Sequence, residues 1–185
     1  MSLHARNAVS LVNRDESDRF RPPSDWFVTS RSDGVYVARI GVTSERAVDL
    51  LHALSVHLDP EVDVFLSDER SGTEWGGTDV PVSEFRDALG RMRFPLATYG
   101  GVEVTAVGPN DQLSLTSELQ VVIYARSDRW YFLLDGLGLS ERTELPAPSW
   151  TPSRSSLVSA PELTAALTAA AARLGLATRA VPVSR

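Results

Sequence analysis

Hydrophobic and polar residues alternate twice near the start of the chain, over residues 26–30 and 35–42. Alternation with a period of two is typical of half-buried β-strands. The segment between the two runs is Ser32-Asp33-Gly34, and an Asp-Gly pair favours the tight turn of a hairpin. We therefore predict that this part of the chain forms a β-hairpin.

Three later segments have apolar residues spaced as on one face of a helix. The spacing predicts helices over about residues 44–58, 81–92 and 160–174. Their apolar stripes, in chain order, are Ala47, Leu50, Leu51, Leu54 and Leu58; Val82, Phe85, Leu89 and Met92; and Leu163, Leu167, Ala170 and Leu174.

Capping signals precede the first and the third of these helices. Thr43 or Ser44 can accept a hydrogen bond from the free N–H groups at the start of the first helix. Ser159 and Glu162 match the capping box, in which the serine bonds forward and the glutamate reaches back. We therefore expect the third helix to start directly after Ser159.

Further strands are predicted between and after the helices. Short apolar or alternating runs mark them at Val62–Leu66 and at residues 102–106, 113–115, 119–125 and 129–134. The last two runs flank Ser127-Asp128 and are predicted to form a hairpin. Runs that are apolar on both faces are typical of the centre of a sheet, so Trp130, Tyr131 and Phe132 are expected to pack in the core.

Together these elements predict an α+β fold, with a mainly antiparallel sheet of about five to seven strands packed by about three helices. The length of 185 residues fits one domain, which we place at residues 24–185. Residues 1–23 have mixed charges and little periodicity, and we interpret them as a flexible N-terminal arm. Residues 145–158 are rich in proline and are predicted to form an extended crossing segment before the C-terminal helix.

The composition excludes several kinds of chemistry and several partners. Cysteine is absent, which excludes thiol nucleophiles, disulfides and thiolate zinc sites. The net charge of −6 argues against a nucleic-acid partner, because binding a phosphate backbone needs a basic surface.

The N-terminus lacks the apolar run of a signal peptide, and no stretch approaches the roughly 18 apolar residues of a membrane span. We therefore predict a cytoplasmic protein without a membrane partner. Lysine is also absent, which is typical of the codon usage of a GC-rich, bacterial genome.

The acidic charge is concentrated between Asp59 and Asp79. This segment has seven acidic residues and one arginine, a net charge of −6 that equals that of the whole chain. Within it, residues 67–79 are polar and contain glycine, and we interpret them as a long loop after a strand, a common place for functional sites. The candidate binding residues of this loop are Asp68, Glu69, Glu74, Trp75 and Asp79.

Three interpretations of this acidic loop remain open. Its carboxylates suit a divalent cation or acid–base work, although their spacing does not match the twelve-residue calcium loop. Trp75 suits a protein contact, because interfaces favour tryptophan. The loop is also compatible with a solvated surface that binds nothing.

No other motif in the sequence points to catalysis. His52 and His57 lie five residues apart, whereas a metal-binding pair on a helix is spaced by four. No G-x-S-x-G motif is present, and a P-loop would need a lysine. We therefore predict no metal ligand and no cofactor, and the question of enzymatic activity stays open.

The favoured function is a non-catalytic protein-interaction or self-associating module. The alternative is a small-ligand-binding protein or a divalent-cation-dependent enzyme that uses residues 67–79.

Overall fold

The computed structural model describes residues 25–144 and 157–179. Within these residues, nine strands form one sheet: β1 (Trp26–Ser32), β2 (Val35–Gly41), β3 (Glu61–Asp68), β4 (Thr73–Pro81), β5 (Val102–Val107), β6 (Asp111–Leu115), β7 (Val121–Ala125), β8 (Ser140–Glu141) and β9 (Ala177–Arg179). The helices in the same residues are α1 (Ser44–Leu54), α2 (Val82–Tyr99), α3 (Arg129–Gly136) and α4 (Pro161–Arg173), and a 3₁₀ turn (Ser55–His57) follows α1.

The strand order across the sheet is β8-β1-β2-β7-β6-β5-β3-β4-β9. Neighbouring strands pair antiparallel throughout, except that β8 runs parallel to β1. The predicted α+β class is confirmed, but the sheet is larger than predicted and is mixed. The predicted arm at residues 1–23 lies outside the described residues. Residues 145–156 of the predicted crossing segment lie outside them as well.

The hydrophobic core lies between the sheet and the helices. Along β3, Val62, Val64 and Leu66 are buried, whereas the intervening side chains are only half-buried. The buried residues of this strand belong to the same cluster as Phe85 and Leu89 of α2, so every second residue of β3 faces the helices. The register between neighbouring strands carries this alternation across the sheet.

The structure confirms the predicted hairpin near the start of the chain. β1 and β2 pair antiparallel, and Asp33 and Gly34 have φ angles of 52° and 80°. Two successive positive φ angles are the signature of the type I′ turn that Asp-Gly favours. The predicted cap of the first helix is also confirmed, since the Thr43 hydroxyl accepts a hydrogen bond from the N–H of Arg46 at 3.4 Å.

The predicted loop at residues 67–79 is wrong, because most of it belongs to the hairpin of β3 and β4. The turn closes with the N–H of Gly72 donating to the carbonyl of Asp68 at 2.8 Å. The glycines that favoured a loop instead make room for the C-terminal segment. A Cβ on Gly76 would lie 2.5 Å from the Arg179 side chain, and one on Gly77 would lie 2.7 Å from Leu176. Glycine within a strand often marks such a close approach.

The predicted strand at residues 129–134 is also wrong, because these residues form α3. A short apolar run fits a strand and a buried helix equally well, so periodicity could not separate the two. Ser127 favours the helix, because its hydroxyl accepts a hydrogen bond from the N–H of Arg129 at 3.2 Å. Trp130 and Leu134, four residues apart, are the buried residues of this helix.

The helix predicted over residues 44–58 ends at Leu54 and continues as the 3₁₀ turn, and two other helices differ from the prediction in their length or their cap. α2 was expected to end near residue 92 but continues through Pro95 to Tyr99, and Leu96 extends its buried stripe by one turn. Burial of Leu96 offsets the backbone hydrogen bond that the proline removes. The predicted capping box of α4 is wrong, since Ala160 is the N-cap and no side chain caps the helix. Pro161 occupies the first helical turn, where its missing N–H costs nothing.

The packing of Trp26 leaves room only for glycine at position 41. A Cβ at Gly41 would lie 2.5 Å from the indole ring, which is itself buried and stiff. We expect Gly41→Ala to lower the free energy of unfolding by about 1–3 kcal/mol through overpacking. The control is Gly90→Ala on α2, where an added Cβ meets no atom of the described residues within 4 Å. That variant is expected to be neutral or stabilising by up to about 1 kcal/mol. Urea denaturation of both variants tests the pair, and equal stabilities would contradict this role of Gly41.

Candidate functional site

The structure places the five predicted site residues on the β3–β4 hairpin, with Asp68 and Trp75 on one face of the sheet and Glu74 on the other. Asp68 ends β3 on the helix side and is 1% exposed, and Glu69 lies in the turn. On β4, Trp75 pairs with Leu66 and packs against the core, so Glu74 beside it faces the other side of the sheet. Asp79 is exposed near an irregularity of the strand pairing.

This arrangement separates the candidate carboxylates. Asp68 and Glu74 lie on opposite faces of the sheet, because Asp68 pairs with Thr73 and Glu74 pairs with Ser67. The backbone N–H of Asp79 donates to the carboxylate of Asp63 at 3.4 Å. Within residues 25–144 and 157–179, no three His, Asp or Glu side chains are grouped as a metal site requires. The binding role of these residues stays a prediction.

The carboxylate of Asp68 is held by the turn that follows it. It accepts hydrogen bonds from the backbone N–H of Arg70 at 3.1 Å and from the hydroxyl of Ser71 at 2.9 Å. The Arg70 guanidinium lies 3.6 Å from the same carboxylate. A buried carboxylate needs such partners, since an unpaired charge in the interior is costly.

Arg70 joins three separate parts of the fold. Its Nη1 donates to the carbonyl of Gly100 at 2.7 Å, and its Nη2 donates to that of Tyr99 at 2.7 Å. Its Nε donates to the carbonyl of Val158, just before α4, at 3.1 Å. The side chain is only 10% exposed. A cation at the C-terminus of α2 satisfies carbonyls that lack helical partners and favours the helix dipole.

A cleft of about 530 Å³ separates this turn from the start of α4. Asp68, Arg70 and Ser71 line one side, and the other side is lined by Ser159, Ala160, Pro161, Thr164 and Ala165. Both carboxylate oxygens of Asp68 and all three guanidinium nitrogens of Arg70 already bond to protein groups. These polar atoms of Asp68 and Arg70 are therefore already bonded within the fold, which weakens the case for a ligand site in the cleft.

A second buried carboxylate anchors α3. Asp111 begins β6, is 4% exposed and accepts a hydrogen bond from the indole N–H of Trp130 at 2.9 Å. Its other oxygen pairs with the guanidinium of Arg129, which also donates to the carbonyl of His57 at 2.8 Å. These contacts hold the first turn of α3 against the sheet and the 3₁₀ turn. No sequence motif marks this cluster, because its members are distant along the chain.

Three large apolar side chains are exposed on α3 and directly after it. Phe132 is 67% exposed, Tyr131 is 40% exposed, and Leu137, directly after the helix, is 39% exposed. The two rings contact each other edge to face, with centroids 5.6 Å apart. We call Tyr131 and Phe132 the α3 surface. Large apolar side chains grouped on a surface are typical of protein contacts.

The prediction that Trp130, Tyr131 and Phe132 pack in the core is correct for Trp130 and wrong for Tyr131 and Phe132. The error follows from predicting residues 129–134 as a strand that is buried on both faces, in which no side chain would point to solvent. The signal that could have found it was the pair Ser127-Asp128, two residues that favour helix starts, directly before an apolar run. A helix starting there with Trp130 and Leu134 inside would turn Phe132 outward, because residues two apart lie on nearly opposite sides of a helix.

Comparisons with known proteins identify no relative. No protein-family model matches the chain, and searches of curated proteins and of solved structures found no match either. Among the helices that the structure describes, none is both long and apolar enough to span a membrane.

Proposed function

We propose that this chain is a non-catalytic interaction module that binds protein through the α3 surface. The observation that carries the proposal is the exposure of Phe132, which is 67% exposed beside the ring of Tyr131. Transferring such a ring from water into a protein contact is favourable, and aromatic residues are enriched among the side chains that dominate binding energy.

The support of α3 suits a binding surface. Trp130 and Leu134 bury the inner side of the helix, and Asp111 holds its first turn through two side chains. A rigid element presents its outer side chains with little loss of conformational freedom on binding, which favours affinity. The exposed rings therefore keep a fixed orientation before a partner binds.

The acidic hairpin supports the interaction function less well than sequence analysis expected. Trp75, the predicted anchor of a protein contact, packs against the core. A small-ligand site in the cleft beside Asp68 is the second candidate, favoured by the cleft volume and weakened by the engagement of its polar atoms within the fold. A cytoplasmic location and the absence of nucleic-acid and membrane partners remain part of this proposal.

Site-specific photo-crosslinking tests the proposed function. Benzoylphenylalanine replaces Phe132 in one variant and Phe94 in another, the latter an exposed ring on α2 that is 72% exposed and outside the α3 surface. Irradiation in cells and of the purified chain is expected to give protein adducts at position 132 and not at position 94. Mass spectrometry identifies the adducts. Equal yields at both positions, or none at position 132, would contradict the proposal.

A further inference from the structure

We draw no further inference here: the strongest candidate, the face of the sheet opposite the helices around Trp26, Ser114 and Val122, carries no proposal because nothing in the part of the chain that the structure describes shows what covers it.

Discussion

Replacing Arg70 with alanine is expected to lower the free energy of unfolding by about 3–5 kcal/mol, as for a buried ion pair that loses one partner. The variant leaves the buried Asp68 carboxylate with neutral donors only and removes the cation from the C-terminus of α2. It also releases the carbonyl of Val158, so the segment that enters α4 loses its tie to the hairpin. Urea denaturation measures the loss, and the melting temperature should fall by about 2–4 °C for each kcal/mol.

Two further variants show whether the geometry of Arg70 matters. Arg70→Lys keeps the charge, but an ammonium cannot reproduce three divergent N–H bonds, so its stability should lie between wild type and alanine. The matched control is Arg91→Ala, which removes a 67%-exposed arginine from an i,i+4 ion pair on α2. Its cost should stay below about 0.5 kcal/mol, because exposed ion pairs contribute little. If Arg70→Ala is as stable as Arg91→Ala, the bonds of Arg70 to α2 and to the segment before α4 do not stabilise the fold.

The elements predicted correctly are those whose signals are local. The first hairpin depends on the Asp33-Gly34 turn, and α1 depends on the Thr43 cap and a leucine stripe within one helix length. Each signal acts between residues that are close along the chain, so the sequence displays it directly.

The elements predicted wrongly depend on distant neighbours. β4 is a strand although it contains Gly76 and Gly77, because the glycines admit residues about 100 positions further along. α3 is a helix because Asp111, from another part of the sheet, holds its indole and guanidinium groups. Neither relation has a periodic signature in the sequence.

The same reason limits how much of the candidate site could be predicted. Arg70 was visible as the one base within an acidic segment, yet its acceptors lie 29, 30 and 88 residues away. The composition of residues 67–79 favoured a site of converging carboxylates, whereas the pleat of the hairpin sends Asp68 and Glu74 to opposite faces. The α3 surface became visible only once the helix set Phe132 outward.

Asp111→Ala is expected to be the second large destabilisation, with a cost of about 2–4 kcal/mol. The indole N–H of Trp130, whose side chain is 2% exposed, would lose its acceptor in the interior. Arg129 would lose its ion pair and keep its bond to the carbonyl of His57. Asp111→Asn retains an oxygen for the indole and loses only the charge, so it should cost about 1–2 kcal/mol.

The control for this pair is Asp128→Asn, an exposed aspartate directly before α3 whose side chain does not cap the helix. Its stability should match wild type within about 0.5 kcal/mol. Because Asp111 anchors the first turn of α3, Asp111→Ala should also speed hydrogen exchange at the backbone amides of α3 under conditions where the chain stays folded. Unchanged exchange in α3, combined with a stability equal to that of Asp128→Asn, would show that the carboxylate does not anchor this helix.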